Sequence, residues 1–400
     1  MGVDLNDIFD SVSTESIFQN KSVLQSNYDP DTIPHRDQQM RQIATILKPT
    51  LRLEKPSNLF IYGKTGTGKS LSVRHVCDQF AKKAKESNIE LKFYHINCKL
   101  KKADTEYRIL AELMRQLGSP VPSTGLPTDE IYRRFTETID SDKKLLVLVL
   151  DEVDHIVKKI EGGFLYNLTR LNSELKNSQL SIMGISNDLV FLDNIDPRVK
   201  SSLSEEEIVF PPYDAIQIQD ILRERAKMAF KEGIFAEGVI EKCSAFAARD
   251  HGDARRALDL LRIAGELAER EGAKSVALTH LDSAKEKIEK DKILDIISTQ
   301  PKQFQLVLMS VISLVESKKE KMFTGDIYNT YHNFCEKTNT ESLTQRRIGD
   351  ILSEFDMLGI INAQVISKGR YGRTKEIKLA IQPQLLAKAK AIIYDSLGLE

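Results

Sequence analysis

The sequence lacks closely spaced cysteines, long apolar runs and a large excess of charge of either sign. Its four cysteines contain no C-x-x-C pair, so we expect reduced, structural thiols in a cytosolic protein rather than disulfides or a metal centre. No apolar run is long enough to span a membrane, and the polar, acidic start at residues 1–10 predicts no signal peptide. The net charge is −1, so binding of nucleic acid would depend on local basic patches.

The pattern of apolar residues changes twice along the 400 residues, which is long enough for two or three domains. From Leu59 to Phe210, short apolar segments alternate with longer amphipathic stretches, as in a parallel sheet of an α/β domain. Residues 214–290 show only helical periodicity. Residues 302–400 contain three helix-like stretches and then a hairpin, which predicts a winged helix. The predicted strands are Leu59–Tyr62, Leu91–Asn97, Leu145–Leu150, Leu180–Ser186 and Glu207–Phe210.

A glycine-rich loop with the pattern G-x-x-x-x-G-K-S follows the first predicted strand. Its glycines let the backbone curl around a phosphate, so that N–H groups and the start of the next helix face the anion. Lys69 would reach the β- and γ-phosphates of a nucleotide, and the hydroxyl of Ser70 would bind Mg²⁺. The predicted phosphate-binding residues are Gly63, Lys64, Thr65, Gly66, Thr67, Gly68, Lys69 and Ser70.

Polar side chains follow the third and fourth predicted strands. Asp151 and Glu152 come directly after a run of six apolar residues that indicates a buried strand. Because open α/β sheets bind ligands at the carboxyl ends of their strands, Asp151 would hold Mg²⁺ and Glu152 would polarise the attacking water. Asn187 ends the next strand and would orient the same water. The alternatives are an acidic helix start at Asp151 and a helix-capping asparagine at Asn187.

Two arginines further along the chain could act on the terminal phosphate. Arg198 lies between the fourth and fifth strands, where it could be offered to the nucleotide of a neighbouring subunit; the alternative is an ordinary surface arginine. Arg255 begins a helix in the all-helical segment and could fold back onto the phosphates, whereas Arg256 could serve equally or face solvent. Arginine suits both positions because it stays charged and pairs with two phosphate oxygens at once.

These motifs occur in the order found in AAA+ ATPases, and longer segments narrow the resemblance. Leu59–Gly63, Asp196–Leu203 and Gly252–Arg262 resemble the archaeal replication initiators, homologues of origin recognition complex subunit one and cell division control protein six. The similarity runs from about Asn20 to Ile381 and implies an α/β AAA+ core with a parallel sheet, an α-helical lid and a C-terminal winged-helix domain. The implied bounds are residues 1–210 for the core, with a helical insertion near 99–135, 211–292 for the lid and 300–400 for the winged helix.

The resemblance also implies roles for individual residues. Asn187, Arg198 and Arg255 correspond to sensor one, the arginine finger and sensor two of that family. The segment Tyr28–Arg36 corresponds to the lining of the adenine pocket. The nucleotide contacts expected outside the glycine-rich loop are Tyr28, Ile33, Pro34, Arg36, Tyr213 and Arg255.

The winged-helix segment contains the basic residues that would contact DNA. Residues 301–400 hold 14 Lys and Arg against 11 Asp and Glu, a small but localised excess. The third helix would present its first turn to base edges in the major groove, where arginine suits guanine and glutamine suits adenine. Thr344 could instead act mainly as the helix N-cap. The residues concerned are Thr344, Gln345, Arg346 and Arg347.

The hairpin turn that follows carries three cations beside two glycines, which permit close approach to a DNA groove. A cationic hairpin is otherwise ordinary solvated surface, but in the resembled family the wing and the recognition helix contact origin DNA. An insertion near 99–135 also touches DNA in that family, so Arg133 and Arg134 are weak candidates; the alternative is a surface loop. The turn consists of Lys368, Gly369, Arg370, Tyr371, Gly372 and Arg373.

The resemblance implies an ATP-controlled protein that binds double-stranded origin DNA and helps load the replicative helicase, with weak hydrolysis acting as a switch. The implied ligands are ATP or ADP and Mg²⁺, and the implied partners are the helicase and paralogous initiators, with no membrane and no other small-molecule substrate. The expected location is the cytoplasm, at the nucleoid. Two alternatives are a motor of the branch-migration helicase type and a winged-helix transcription regulator that responds to ATP.

Overall fold

The chain forms two compact units, Met1–Leu281 and Asp282–Glu400. The first contains a parallel sheet and helices, and the second contains helices and a small antiparallel sheet. No helix in the described ranges combines the length and the apolar composition needed to cross a membrane. The structure, a computed structural model, describes residues 16–99, 105–122, 124–142, 144–160, 163–190, 197, 200–201, 205–317, 319, 321–367, 373–381 and 383–398.

The first unit is built on a five-stranded parallel sheet with the strand order β2-β3-β4-β1-β5. The strands are β1 (Leu59–Tyr62), β2 (Leu91–Asn97), β3 (Leu145–Asp151), β4 (Gln179–Ser186) and β5 (Glu206–Val209). Their pairing aligns the carboxyl ends, since Asn97 lies opposite Asp151 and Tyr62 lies opposite Ser186. The predicted strands and the parallel α/β core are confirmed, and the polar residues that follow β3 and β4 meet at one edge.

Helices cover both faces of this sheet. They are α1 (Asp37–Leu47), α2 (Lys69–Glu86), α3 (Glu106–Gln116), α4 (Thr128–Ile139), α5 (Val153–Ile160) and α6 (Gly163–Leu171). The strands are nearly continuous apolar runs, so alternate residues enter different cores. In β1, Leu59 and Ile61 pack with residues of α1 and α2, whereas Phe60 and Tyr62 pack with residues of α3 to α6.

The lid is the set of helices after the sheet: α7 (Ala215–Ala229), α8 (Val239–Arg249), α9 (Ala254–Arg270) and the start of α10 (Leu278–Thr299). A capping box begins α7. The Asp214 carboxylate accepts the N–H of Gln217 at 2.8 Å, and the Gln217 side chain accepts the N–H of Asp214 at 3.2 Å. These bonds fix the direction in which the chain leaves the core for the lid.

The N-terminal segment, residues 16–28, packs on the lid. The N–H of Gln19 donates to the carbonyl oxygen of Ala229 at 2.8 Å. The ring centroids of Phe18 and Phe230 are 4.5 Å apart. Residues 18 and 19 are thereby attached to the end of α7, although the core lies between them in sequence.

The second unit is a winged helix, as predicted. Its helices are α11 (Lys302–Glu316), α12 (Thr324–Lys337), α13 (Gln345–Met357) and α14 (Pro383–Leu397). Its sheet has the order β6-β8-β7, formed by β6 (Met322–Phe323), β7 (Ile361–Ser367) and β8 (Arg373–Leu379). The hairpin pairs Ile361 with Leu379 and Ser367 with Arg373. One face of α13 is buried through Ile348, Ile351 and Phe355, which leaves its first turn exposed.

Gly184 lies at a point in β4 that has no room for a side chain. A Cβ there would lie 2.6 Å from Cζ and 2.9 Å from Cε1 of Phe60, whose side chain is completely buried. We expect Gly184→Ala to lower the free energy of unfolding by about 1–3 kcal/mol, because a packed core resists a shift of the ring. Urea unfolding measures the change.

The matched control for that variant is Gly163→Ala, also in the first unit. Gly163 is exposed and helical, and apart from its chain neighbours and the backbone of its own helix, no heavy atom of the described residues lies within 4 Å of its added Cβ. The control should therefore be neutral or stabilise the protein by less than about 1 kcal/mol. Equal stability of the two variants would contradict the packing assigned to Phe60.

Candidate functional site

The glycine-rich loop joins β1 to α2 in a conformation that glycine adopts without strain. Gly66 and Gly68 have φ angles of 74° and 87°, and Gly68 is the N-cap of α2. An added Cβ would lie 1.8 Å from Oδ1 of Asp253 at Gly66 and 2.8 Å from the hydroxyl oxygen of Tyr213 at Gly68. Thr65 is exposed at the tip of the loop. The loop therefore has to be glycine-rich both for its own shape and because lid residues approach it closely.

The ammonium group of Lys69 is held at the sheet edge by three oxygen atoms, none of which carries a formal charge. Its Nζ donates to the carbonyl oxygens of Gly63 and Lys64 at 2.6 and 2.8 Å, and to Oδ1 of Asn187 at 2.9 Å. Burial lowers the pKa of Lys69 to about 8, the positive charge of Arg255 acts in the same direction, and nearby carboxylates oppose this only in part. A phosphate anion would supply the missing counter-charge, so the loop fits a phosphate.

Asn187 is positioned by a carboxylate that the sequence analysis did not single out. Asp154, in the first turn of α5, is 5% exposed. Its Oδ1 accepts hydrogen bonds from Oγ of Ser186 at 3.0 Å and from the N–H of Asn187 at 3.4 Å. These bonds fix the end of β4 beside Lys69. In the sequence, the position of this acidic residue three places after Asp151 could have indicated such a role.

The backbone turns sharply at Glu152, directly after β3. Its φ angle of 54° is in the left-handed region, which costs a residue other than glycine about 1–3 kcal/mol. The N–H of Glu152 donates to Oδ1 of Asp151 at 3.0 Å. Its Oε2 is buried and has no hydrogen-bond partner among the described residues. A buried carboxylate oxygen without a donor can accept one from a water molecule, which is what the predicted role of Glu152 requires.

The lid contacts the glycine-rich loop directly. The N–H of Ala254, the first residue of α9, donates to the carbonyl oxygen of Gly66 at 3.3 Å. Nζ of Lys64 lies 3.2 Å from Nδ1 of His251. Asp253 packs against Gly66, and burial raises the pKa of its carboxyl group. A shift of the loop would therefore displace the start of α9.

Arg36 lies beneath the loop and is not among the residues that line the adjacent cavity, so its predicted nucleotide contact stays a prediction. Its side chain is 1% exposed and donates to the carbonyl oxygens of Thr67 at 2.8 Å and Pro211 at 2.7 Å. The guanidinium carbon is 3.7 Å from the ring centroid of Tyr213, and burial lowers the pKa of Arg36. Because each of its three nitrogens donates to a backbone carbonyl oxygen, Arg36 supports the loop and the core–lid connection.

A cavity of about 290 Å³ lies between the N-terminal segment, the loop and the lid. Three arginines line it, Arg74 of α2 and Arg225 and Arg255 of the lid, so the cavity suits an anionic ligand. Arg255 was predicted from the sequence as a nucleotide contact, whereas Arg74 and Arg225 were not. The predicted nucleotide contacts that line the cavity are Tyr28, Ile33, Pro34, Gly66, Gly68, Ser70, Tyr213 and Arg255.

The first turn of α13 is free of the winged-helix core. Thr344 is the N-cap, and its Oγ1 accepts the N–H of Arg347 at 3.4 Å. Gln345, Arg346 and Arg347 are exposed, and Nη1 of Arg347 is 3.8 Å from the Asp350 carboxylate. The capping role predicted as the alternative for Thr344 is therefore present, and it leaves the neighbouring side chains accessible.

The two arginines proposed for the insertion are already paired. Arg133 lies 2.9 Å from Glu130 and 2.6 Å from Glu137, and Arg134 lies 2.6 Å from Glu130. Arg133 and then Arg134 lower the pKa of Glu130 to about 2. These ion pairs on α4 neutralise much of the charge that the two arginines could offer to DNA.

Several predicted residues lie outside the described part of the chain, so their roles stay predictions. These residues are Arg198, Lys368, Gly369, Arg370, Tyr371 and Gly372. The backbone of Arg373 begins β8, but its side chain lies outside the described part as well.

Three family models match consecutive parts of the chain: "AAA domain" at residues 52–190, "Cdc6 AAA+ ATPase-type lid domain" at 219–286, and "CDC6, C terminal winged helix domain" at 295–389. An "ORC1-type DNA replication protein" of Pyrococcus abyssi is 50% identical over 93% of this chain and 89% of its own length. The chain belongs to the ORC1-type DNA replication protein family. The resemblance found in its motifs is thus confirmed.

Other members of the family match over similar lengths. The "ORC1-type DNA replication protein 1" of Sulfurisphaera tokodaii is 47% identical over 96% of each chain. The solved structure of the Aeropyrum pernix ORC1 protein in complex with DNA is 41% identical, covers 95% of this chain and 98% of its own, and gives a TM-score of 0.83. Membership in this AAA+ ATPase family supports nucleotide binding and ATPase activity for the ORC1-type chain.

Lys69 should make nucleotide affinity depend on pH. Its pKa is about 8 in the free protein, and a bound triphosphate would raise it because the anion stabilises the ammonium form. Affinity should therefore be constant below about pH 8 and fall up to ~tenfold per pH unit above it. Titrations of ATP across this range measure the effect. Lys69→Arg is the control because guanidinium stays protonated; an equal fall in both proteins, or none in the wild type, would contradict this role.

Proposed function

We propose that the protein is an ATP-dependent initiator that binds double-stranded DNA at replication origins and helps to load the replicative helicase. Weak ATP hydrolysis acts as its switch, and it works at the nucleoid together with paralogous initiators. The contact between Ala254 of the lid and Gly66 of the loop carries this proposal. It couples the phosphate site to the position of a group of helices, which a nucleotide-controlled switch requires.

The proposed nucleotide site uses the whole loop from Gly63 to Ser70. Lys69 exchanges its uncharged oxygen partners for the β- and γ-phosphates, while the nucleoside lies against Tyr28, Ile33, Pro34 and Tyr213. Support comes from the cavity, whose wall combines these apolar and aromatic groups with the loop. Ser70 and Asp151 hold Mg²⁺, which neutralises phosphate charge when it is bound.

Hydrolysis in this proposal depends on two groups at the sheet edge. Glu152 polarises the attacking water through its unpaired carboxylate oxygen. Asn187 orients that water and accepts a hydrogen bond from Lys69. A change at the γ-phosphate that moved Lys69 would therefore also affect Asn187. Arg255 approaches the phosphates from the lid, and Arg198 is proposed to do so from a neighbouring subunit, as the family resemblance implies.

The lid would respond to the charge on the nucleotide. Asp253 lies against Gly66, so an anion entering the loop meets a negative carboxylate on the lid. Arg255 lies two residues further on and is attracted to the same anion. Repulsion at one position and attraction at the other would reorient the start of α9. Loss of the γ-phosphate would relax this arrangement.

DNA binding is proposed for the exposed first turn of α13 and for the wing. Gln345, Arg346 and Arg347 would meet base edges or phosphates, and residues 368–373 would meet an adjacent groove. The Aeropyrum pernix ORC1 structure, a complex with DNA, supports this proposal because it matches the present chain over nearly its whole length.

Glu152→Gln should separate ATP binding from hydrolysis. The amide is close in size to the carboxylate but cannot accept a proton, so we expect turnover to fall by about 10²- to 10⁴-fold. ATP affinity should change little, since Glu152 is not among the phosphate-binding residues. Steady-state phosphate release and equilibrium titration measure the two quantities. Lys69→Ala is the contrasting variant and should lose ATP binding. Normal turnover in Glu152→Gln would mean that Glu152 takes no part in hydrolysis.

The origin-binding proposal is tested by footprinting the purified protein across genomic DNA with and without ATP. We expect discrete sites in inverted repeats beside replication start points. Arg346→Ala with Arg347→Ala should weaken these footprints and lower the salt dependence of binding by up to ~2 units. Arg133→Ala with Arg134→Ala is the matched pair, which should change binding less because Glu130 already neutralises much of its charge.

Each other outcome of the footprinting would favour one of the alternative functions. Scattered binding or binding at branched junctions, with rapid ATP turnover, would point to a motor. A footprint over one promoter and over no origin would point to a transcription regulator. The relatives named as DNA replication proteins favour initiation over both.

A further inference from the structure

The lid contributes a buried arginine to the cavity in addition to Arg255. Arg225 on α7 is 8% exposed and lines the cavity together with Tyr28 and Ile33. Its Nη1 is buried and has no hydrogen-bond partner within the described part of the chain. A buried guanidinium nitrogen without an acceptor is unfavourable because it has lost its water and gained no other partner.

The neighbours of Arg225 do not supply the missing acceptor. Its guanidinium carbon lies 4.5 Å from the ring centroid of Tyr28, and a cation–π contact offsets desolvation of the charge without accepting an N–H in the usual way. Oε1 of the adjacent Glu224 accepts a hydrogen bond from Thr32 at 2.6 Å instead. Burial lowers the pKa of Arg225, and Tyr28, Glu224 and Asp29 oppose this only in part.

Arg225 and Arg255 lie in different surroundings within the cavity. Arg255 directly follows Ala254, whose N–H donates to the carbonyl oxygen of Gly66 at 3.3 Å, so it lies beside the glycine-rich loop. Arg225 is stacked on Tyr28 and follows Ile221 by one turn of α7. Tyr28 and Ile221 also line the cavity. Aromatic and apolar walls suit the nucleoside part of a nucleotide rather than its phosphates.

We propose that Arg225 is a nucleoside-positioning residue, whose free N–H donates to an acceptor on the ribose or the purine ring of the bound nucleotide. The inference rests on the proposed nucleotide site. Suitable acceptors are the ribose hydroxyl oxygens and the ring nitrogens. The lid then holds the nucleotide at both ends, through Arg255 at the phosphates and Arg225 at the nucleoside. ADP keeps the second contact after the γ-phosphate has gone.

Arg225→Met tests this assignment, because methionine fills much of the same volume without a donor. We expect ATP and ADP to bind the variant about 10- to 100-fold more weakly than the wild type. Inorganic tripolyphosphate, which has no nucleoside, should bind both proteins equally. Calorimetric titration at constant Mg²⁺ measures all three ligands. The thermal midpoint without ligand should change little, because the lost N–H has no partner in the free protein and a thioether can replace the guanidinium against the Tyr28 ring.

Arg223→Met is the matched control. Arg223 lies two positions earlier on α7, is exposed, and has its Nη2 2.9 Å from Glu241, so its loss should leave ATP affinity unchanged. Unchanged ATP affinity in Arg225→Met would overturn the inference, and so would an equal loss of ATP and tripolyphosphate binding. If the wild type bound neither ATP nor tripolyphosphate, the nucleotide site itself would be wrong.

Nucleotide analogues identify the acceptor. 2′-Deoxy- and 3′-deoxy-ATP each lack one ribose hydroxyl, and 1-deaza-, 3-deaza- and 7-deaza-ATP each lack one ring nitrogen that can accept a hydrogen bond. The wild type should bind the analogue that lacks the acceptor about as weakly as Arg225→Met binds ATP. Arg225→Met itself should bind that analogue and ATP with equal affinity. If every analogue bound the wild type as tightly as ATP, the proposed hydrogen bond would be excluded.

Discussion

The buried ammonium group of Lys69 is the charge around which the core is arranged. Only uncharged oxygen atoms hold it, and they come from the end of β1 and from Asn187 after β4. That geometry requires the carboxyl ends of the central strands to be level, which the parallel register provides. It also requires Asn187 to be fixed, which Asp154 achieves from α5. The sheet, the loop and one helix are thus constrained by a single cation.

Three buried groups of the first unit have partners that are missing or unfavourable. Oε2 of Glu152 has no donor and Nη1 of Arg225 has no acceptor within the described residues. Asp253 is a buried carboxylate against a loop that suits anions. In the proposed site, a nucleotide with its water would supply partners for Glu152 and Arg225, whereas it would repel Asp253. Part of the free energy of nucleotide binding would then come from groups that lack partners in the free protein.

Sequence predicted the strands, the glycine-rich loop and the winged helix because these depend on local patterns of apolar residues and glycine. The carboxylates after β3 were also predicted, since strand ends converge in any parallel sheet. Asp154, Arg225 and the support role of Arg36 were not, because each depends on a contact with a chain segment far away in sequence. The pairing of Arg133 could have been read directly, as Glu130 and Glu137 stand three and four positions away on the same helix.

The N-terminal segment gives the lid a second attachment. Covalently, the lid follows β5 through the chain near Pro211, whose carbonyl oxygen is held by Arg36. Non-covalently, Gln19 and Phe18 hold the end of α7. The lid also contacts the glycine-rich loop, through Ala254 and Gly66. A lid movement that broke the loop contact would leave the covalent link and the strap at residues 18 and 19, so the lid would stay joined to the core on both sides of its sequence.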